Sequence, residues 1–127
     1  MSAGSAKTGK IGWVDLTVRN ADEVRDFYSQ VVGWEVEEVS MGEYSDFSML
    51  EPQSRSAAAG ICHARGPNAD LPPQWLIYII VNNLAESLEK CRLLGGEVLA
   101  EPPDSGSAAK FAVIRDPAGA VAALYQE

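Results

Sequence analysis

Residues 13–33 read WVDLTVRNADEVRDFYSQVVG, and residues 76–96 read LIYIIVNNLAESLEKCRLLGG. At an offset of 63 residues the two stretches match in kind. Val14, Leu16 and Val18 fall on Ile77, Ile79 and Val81, Asn20 on Asn83, Glu23 on Glu86 and Gly33 on Gly96. A repeat of this length, close to half of a 127-residue chain, marks a duplicated supersecondary unit. In the first copy Val14, Leu16 and Val18 alternate with Trp13, Asp15 and Thr17, the period-two pattern of a strand. Asn20 with Glu23, and again Asn83 with Glu86, has capping-box spacing. Val24, Phe27, Tyr28 and Val31 then form one helical face, and Gly33 is placed to stop the helix. In the second copy Leu84, Leu88, Cys91 and Leu94 make the stripe and Gly95–Gly96 ends it.

Three short strands are expected after each helix. In copy one they lie near 34–40, 45–51 and 57–64, with turns at Gly42 and at Pro52–Ser54. In copy two they lie near 97–101, 109–115 and 120–126, with a loop at Pro102–Gly106 and a turn at Asp116-Pro-Ala-Gly119. The expected organisation is a disordered tail over 1–10, a first βαβββ module over 11–64, a linker over 65–74 and a second module over 75–127. The fold class is α+β, one globular unit of two tandem βαβββ modules.

Composition narrows the function. Apolar residues make up 46% and charged residues 22%, which suits a globular chain. The longest apolar run, Leu76–Val81, is strand-sized and far short of the ~18 residues of a membrane span. The first ten residues lack the apolar region of a signal peptide, so a cytoplasmic protein is expected. A net charge of −8 argues against a phosphate-backbone footprint, and no nucleic-acid partner is expected. The two cysteines, Cys62 and Cys91, form no framework or CxxC pair, and His63 is the single histidine. No GxGxxG or Walker pattern is present, so Gly33, Gly95 and Gly96 read as helix caps.

The sequence resembles the vicinal oxygen chelate superfamily of glyoxalase I, bleomycin-resistance proteins and extradiol dioxygenases. The resemblance rests on Val14-Asp-Leu-Thr-Val18, Asn20, Phe27-Tyr28, Val32-Gly33-Trp34, Val81-Asn-Asn83, Gly95-Gly96 and Asp116-Pro-Ala-Gly119. It implies paired βαβββ modules whose sheets curl around a cavity on the face away from the helices, and it implies that a homodimer is common. In the superfamily's metal enzymes, ligands sit on the cavity face of the first and last strand of each module. Carried over, the first-strand places are Trp13 and Leu76, and the last-strand places are Ala123 and Gly60 or a neighbour. None supplies an N, O or S donor, whereas a catalytic divalent ion needs about three. No metal and no cofactor are therefore expected. Asp15, Cys62 and His63 are the donors left near the cavity rim, and Cys62 and His63, being adjacent on a strand, point to opposite faces.

Strand parity picks out the candidate pocket. If Val14, Leu16 and Val18 pack on the helix, then Trp13, Asp15 and Thr17 face the cavity, and Leu76, Tyr78 and Ile80 do so from the second copy. Val121, Ala123 and Tyr125 share that face on the last strand, and Phe47, Met49 and Phe111 are added as contributors. The result is an apolar, aromatic-lined hollow with few polar groups, the usual make-up of a small-molecule site. Trp13 serves as cavity wall or as a stacking platform. Asp15 is the candidate catalytic residue and ligand contact. It points to solvent, or is paired with Arg115 or another base, or it is a counterion or a general base. Tyr78 and Tyr125 are candidate hydrogen-bond donors to a ligand carbonyl. Trp75, of opposite parity to Tyr78, is expected on the helix side or against a dimer partner, and Cys91 reads as core.

These residues suit a metal-independent module that encloses an aromatic or cationic organic molecule, as bleomycin-resistance-like proteins do. The alternative is an enzyme of the same superfamily. It would be a metal-free lyase or isomerase with Asp15 as base, or, against the ligand count, a metal-dependent glyoxalase- or dioxygenase-like protein. A dimer whose hollow is filled by its own Trp13 and Leu76 is a third reading.

Overall fold

Alternation makes β1 (Ile11–Val18) a strand, and its Leu16 and Val18 are buried while Ile11 and Gly12 are exposed. The computed structural model describes residues 7–101 and 110–127. After β1 come α1 (Ala21–Val32), β2 (Glu35–Ser40), β3 (Ser45–Leu50) and β4 (Ala57–His63). A short 3-10 turn at Gly66–Asn68 leads to β5 (Trp75–Ile80), α2 (Leu84–Leu93), β6 (Glu97–Ala100), β7 (Lys110–Arg115) and β8 (Val121–Gln126). The chain divides into two compact units, Trp13–Trp75 and Leu76–Glu127 with the residues up to Gly12. They are called the first and second module below.

The first module orders its strands β2-β3-β4-β1. β1 runs parallel to β4 with Asp15 opposite Gly60, Leu16 opposite Ile61 and Thr17 opposite Cys62. β4 runs antiparallel to β3 with Phe47 opposite Ile61 and Ser48 opposite Gly60. Side chains opposite one another share a face. Leu16, Ile61 and Phe47 therefore lie together with Val18, Met49 and Ala21 in a core under α1, joined by Val24, Tyr28, Trp34 and Trp75. Trp75 is on the helix side, as its parity requires, and its indole N–H donates to the Tyr28 hydroxyl at 3.2 Å. Phe47 and Met49 are corrections to the expected pocket. The stretch Asp46-Phe-Ser-Met49 alternates, and the apolar pair faces the helix just as Leu16 and Val18 do.

The second module repeats the plan as β5-β8-β7-β6. β5 runs parallel to β8 with Tyr78 opposite Ala123 and Ile80 opposite Tyr125. β8 runs antiparallel to β7 with Phe111 opposite Tyr125 and Val113 opposite Ala123. Leu84, Leu88, Ala112 and Leu124 form the core under α2, with Ile79, Val81, Val98 and Ile114 against it. The turn after β7 is closed by Asp116, whose carboxylate accepts from the backbone N–H groups of Ala118 at 2.8 Å and Ala120 at 3.0 Å.

Several local expectations change. Gly33 does end α1 in the left-handed region (φ 89°), with its N–H on the Ser29 carbonyl. Asn20, however, does not cap α1 with its side chain; its amide donates to Glu23 Oε1 at 3.2 Å instead. Asn83 does cap α2, accepting from the Glu86 N–H at 3.0 Å. Phe27 and Val31 are exposed on the shoulder of α1, because Ala21, Val24 and Tyr28 already cover the sheet. Leu94 lies beyond the end of α2 and is exposed. Gly9 and Lys10, expected within the tail, are hydrogen-bonded to β5: the Gly9 N–H donates to the Ile80 carbonyl and the Ile80 N–H to the Lys10 carbonyl. Residues 1–6 and the expected loop at Pro102–Gly106 lie outside the described residues. Among the described residues no helix is long and apolar enough to cross a membrane.

Candidate functional site

The face of the first module turned away from α1 is built by register. β1 contributes Trp13, Asp15 and Thr17, β4 contributes Gly60 and Cys62, and β3 contributes Ser48 and Asp46. At its centre the Trp13 indole N–H donates to Asp15 Oδ1 at 2.5 Å, both residues being half-buried. A half-buried carboxylate needs such donors, since desolvation without hydrogen bonds is costly. Thr17 is a buried polar residue on the same face.

Cys62 stands next along this face. Burial pushes its thiol well above the usual thiol range, and the negative charges of Asp15 and Asp46 add to the shift, as does its hydrogen bond to Asp46. It is a neutral donor at ordinary pH and not a nucleophile, because the thiolate is the reactive form. Asp46 also accepts from the backbone N–H of His63 at 2.9 Å. The His63 ring turns to the other side of β4. Its Nδ1 lies 3.2 Å from Asp46 and its Nε2 3.4 Å from Asp22, and Tyr44 meets it edge-on with ring centres 5.3 Å apart. Cys62 and His63 both reach the Asp46 carboxylate, while the His63 ring also lies toward Asp22 of α1 and Phe47, and His63 is a hydrogen-bonded histidine.

Beyond Thr17 an open groove of about 490 Å³ runs between the end of β1 and the linker, past Arg19, Asn20, Ala64, Leu71 and Pro72. Of the pocket residues expected from sequence, only Thr17 lines it.

The second module's face away from α2 carries Leu76, Tyr78 and Ile80 from β5, Ala123 and Tyr125 from β8, and Phe111 from β7. The expected set is therefore on one face here. Tyr78 and Phe111 have ring centres 6.2 Å apart, and Leu76 and Ala123 are fully buried. Arg115 pairs with Glu97 at 2.7 Å.

One member of the site, Asp46, was missed in the sequence, and the Asp15 partner of Gly60 was not named there. Asp46 was recoverable from the alternation that also places Phe47 on the helix side. The pairing of Gly60 with Asp15 became visible only through the parallel register of β1 and β4.

A divalent metal does not fit these residues. The positions that the resemblance matches to ligand places, Trp13 and Gly60 or a neighbour in one module and Leu76 and Ala123 in the other, carry indole, hydrogen and hydrocarbon. Among the described residues no group of three or more His, Cys, Asp or Glu side chains is arranged so that it could hold a metal ion.

The family model of the Glyoxalase/Bleomycin resistance protein/Dioxygenase superfamily matches residues 10–124. The chain belongs to this superfamily. It is 30% identical over 115 residues to CFP32 of Mycobacterium tuberculosis, which carries a glyoxylase name. That match covers 91% of this chain and 43% of the relative. It is 26% identical over 130 residues to the anthracycline biosynthesis protein DnrV of Streptomyces peucetius, covering 94% of this chain and 47% of that one. The chain thus spans less than half the length of the curated relatives it matches. Among solved structures, the hypothetical protein BH1468 of Bacillus halodurans aligns with a TM-score of 0.58 at 14% identity, covering 95% of this chain and 96% of that one. Methylmalonyl-CoA epimerase of Streptomyces coelicolor aligns at 0.56 and 15% identity, covering 96% and 99%. At these identities the likeness is one of fold.

Proposed function

We propose that this chain is a metal-independent small-molecule-binding member of the superfamily, of the bleomycin-resistance type. Its ligand is an aromatic organic cation, for which Asp15 is the counterion. The observation that carries this reading is the Asp15 carboxylate, held at 2.5 Å by Trp13 on the sheet face away from α1. A fixed, half-buried anion beside an indole suits a cation with a planar body. The missing metal donors favour binding over the superfamily's metal chemistry. The names of the relatives, one from anthracycline biosynthesis and one from glyoxylase chemistry, are in keeping with a small organic ligand.

The test uses a matched pair, N-methylquinolinium and neutral quinoline, titrated calorimetrically. The cation is expected to bind saturably without turnover. Asp15→Asn should weaken the cation about tenfold or more and the neutral compound less than about twofold. Equal loss for both would overturn the counterion role. Conversion of a bound compound, abolished by Asp15→Asn, would instead establish the metal-free lyase or isomerase with Asp15 as its base.

A further inference from the structure

Gly60 lies opposite Asp15 in the parallel pairing of β1 and β4. A Cβ built on Gly60 would fall well inside contact distance of Asp15 Oδ1, at 3.2 Å from its Cγ and 3.4 Å from Trp13 Nε1. The carboxylate therefore fills the space that any other residue at position 60 would occupy. The backbone does not demand glycine there, because Gly60 is not among the glycines with positive φ. Nor does the pairing demand it. The repeat places Ala123 at the matching position of the second module, opposite Tyr78 in the same parallel register, and a Cβ is accommodated. What differs is the partner, a carboxylate that bends toward an indole in one module and a tyrosine in the other.

We infer that Gly60 and Trp13 are positioning residues for Asp15. Gly60 provides the seat and the Trp13 N–H fixes Oδ1 in it, so that the carboxylate presents one orientation to a ligand. Neither needs to touch the ligand for this. The inference rests on the reading of Asp15 as the ligand's counterion, and it deepens that reading by naming what sets the carboxylate's direction. A charged group held by its neighbours recognises a partner better than a free one, since less orientational freedom is lost on binding.

The clash at position 60 falls on the far end of a flexible side chain. Gly60→Ala can thus be relieved by swinging Asp15 away, which keeps the fold and loses the seat. The experiment follows the indole N–H resonance of Trp13 in ¹⁵N-labelled protein, assigned by Trp13→Phe, together with affinity for N-methylquinolinium and quinoline. Gly60→Ala should move the Trp13 resonance as Asp15→Asn does, and leave those of Trp34 and Trp75 in place. It should weaken the cation about tenfold and spare quinoline. If Gly60→Ala does not fold, Trp13→Phe alone should still weaken the cation selectively. An unmoved Trp13 resonance in folded Gly60→Ala overturns the inference. So does a moved resonance with unchanged cation affinity. If the wild-type protein binds neither compound, the counterion reading falls, and the resonance alone still decides the seat.

Discussion

The two modules share one plan and differ on one face. Under the helices the matching positions stay apolar: Leu16 and Ile79, Val18 and Val81, Met49 and Ala112 all pack in or against their cores. On the opposite face the same offset pairs Trp13 with Leu76, Asp15 with Tyr78, Thr17 with Ile80, Gly60 with Ala123 and Cys62 with Tyr125. One module carries the carboxylates and the thiol, and the other carries hydrocarbon and aromatic rings. The helix side is constrained by packing, which only volume and hydrophobicity satisfy. The other face is free to diverge, and in this chain charge has gone to the first module. A duplicated scaffold thus separates the residues that hold the fold from a face whose chemistry has diverged between the modules.

The largest effects should come from the shared face. Met49→Ala in the first module and Leu88→Ala in the second, both fully buried, should each cost about 2–5 kcal/mol in urea unfolding. Asp15→Asn and Tyr78→Phe should cost far less, with their consequences appearing in binding. A Met49→Ala variant of unchanged stability would break the equivalence of the two cores and return Met49 to the pocket.

The polar face gives the next effect, through Cys62, whose counterpart Tyr125 has no thiol. The folded state raises the pKa of the Cys62 thiol above its unfolded value through burial and the charges of Asp15 and Asp46. The stability that a neutral thiol permits is fully present below the unfolded pKa, about 8.5, and is lost as pH rises above it. The wild type should therefore lose about 1 kcal/mol per pH unit above about pH 9 relative to Cys62→Ala. Urea midpoints of both proteins at pH 7 and pH 10 measure this. Parallel pH dependence would place Cys62 in water and separate it from Asp46.

Much of this was legible in the chain. The repeat and the alternation of Val14, Leu16 and Val18 gave the βαβββ plan and the strand positions, because side-chain period follows from backbone geometry. Parity also put Trp13, Asp15, Tyr78 and Tyr125 on the faces away from the helices. Phe47 and Met49 were misplaced only because parity was not carried into β3, where Asp46 and Ser48 supply the polar alternates. The Gly60 seat was not legible. A glycine in a strand says that space is needed, and only the register between β1 and β4 says whose. Phe27 and Val31 show the opposite limit: a helical stripe four residues wide marks an apolar face, and the sheet beneath α1 covers only part of it.

The smallest difference between the modules is also the cleanest. Asn20 and Asn83 occupy the same place before their helices, with glutamate three residues on in each case. Asn83 has extended backbone and its side-chain oxygen accepts the Glu86 N–H at 3.0 Å. Asn20 has φ −100° and ψ 51°, outside the extended region, so its side-chain oxygen does not take the cap and its amide goes to Glu23. An N-cap hydrogen bond contributes about 1 kcal/mol, and an exposed side-chain pair contributes a few tenths. Asn83→Ala should therefore lower the urea stability by about 1 kcal/mol, and Asn20→Ala by about 0.3 kcal/mol or less. Equal losses would mean that Asn20 caps α1 in solution, restoring the symmetry that the sequence shows. A loss at Asn83 alone would show that one capping signature was kept as a cap in one module and reduced to a surface contact in the other.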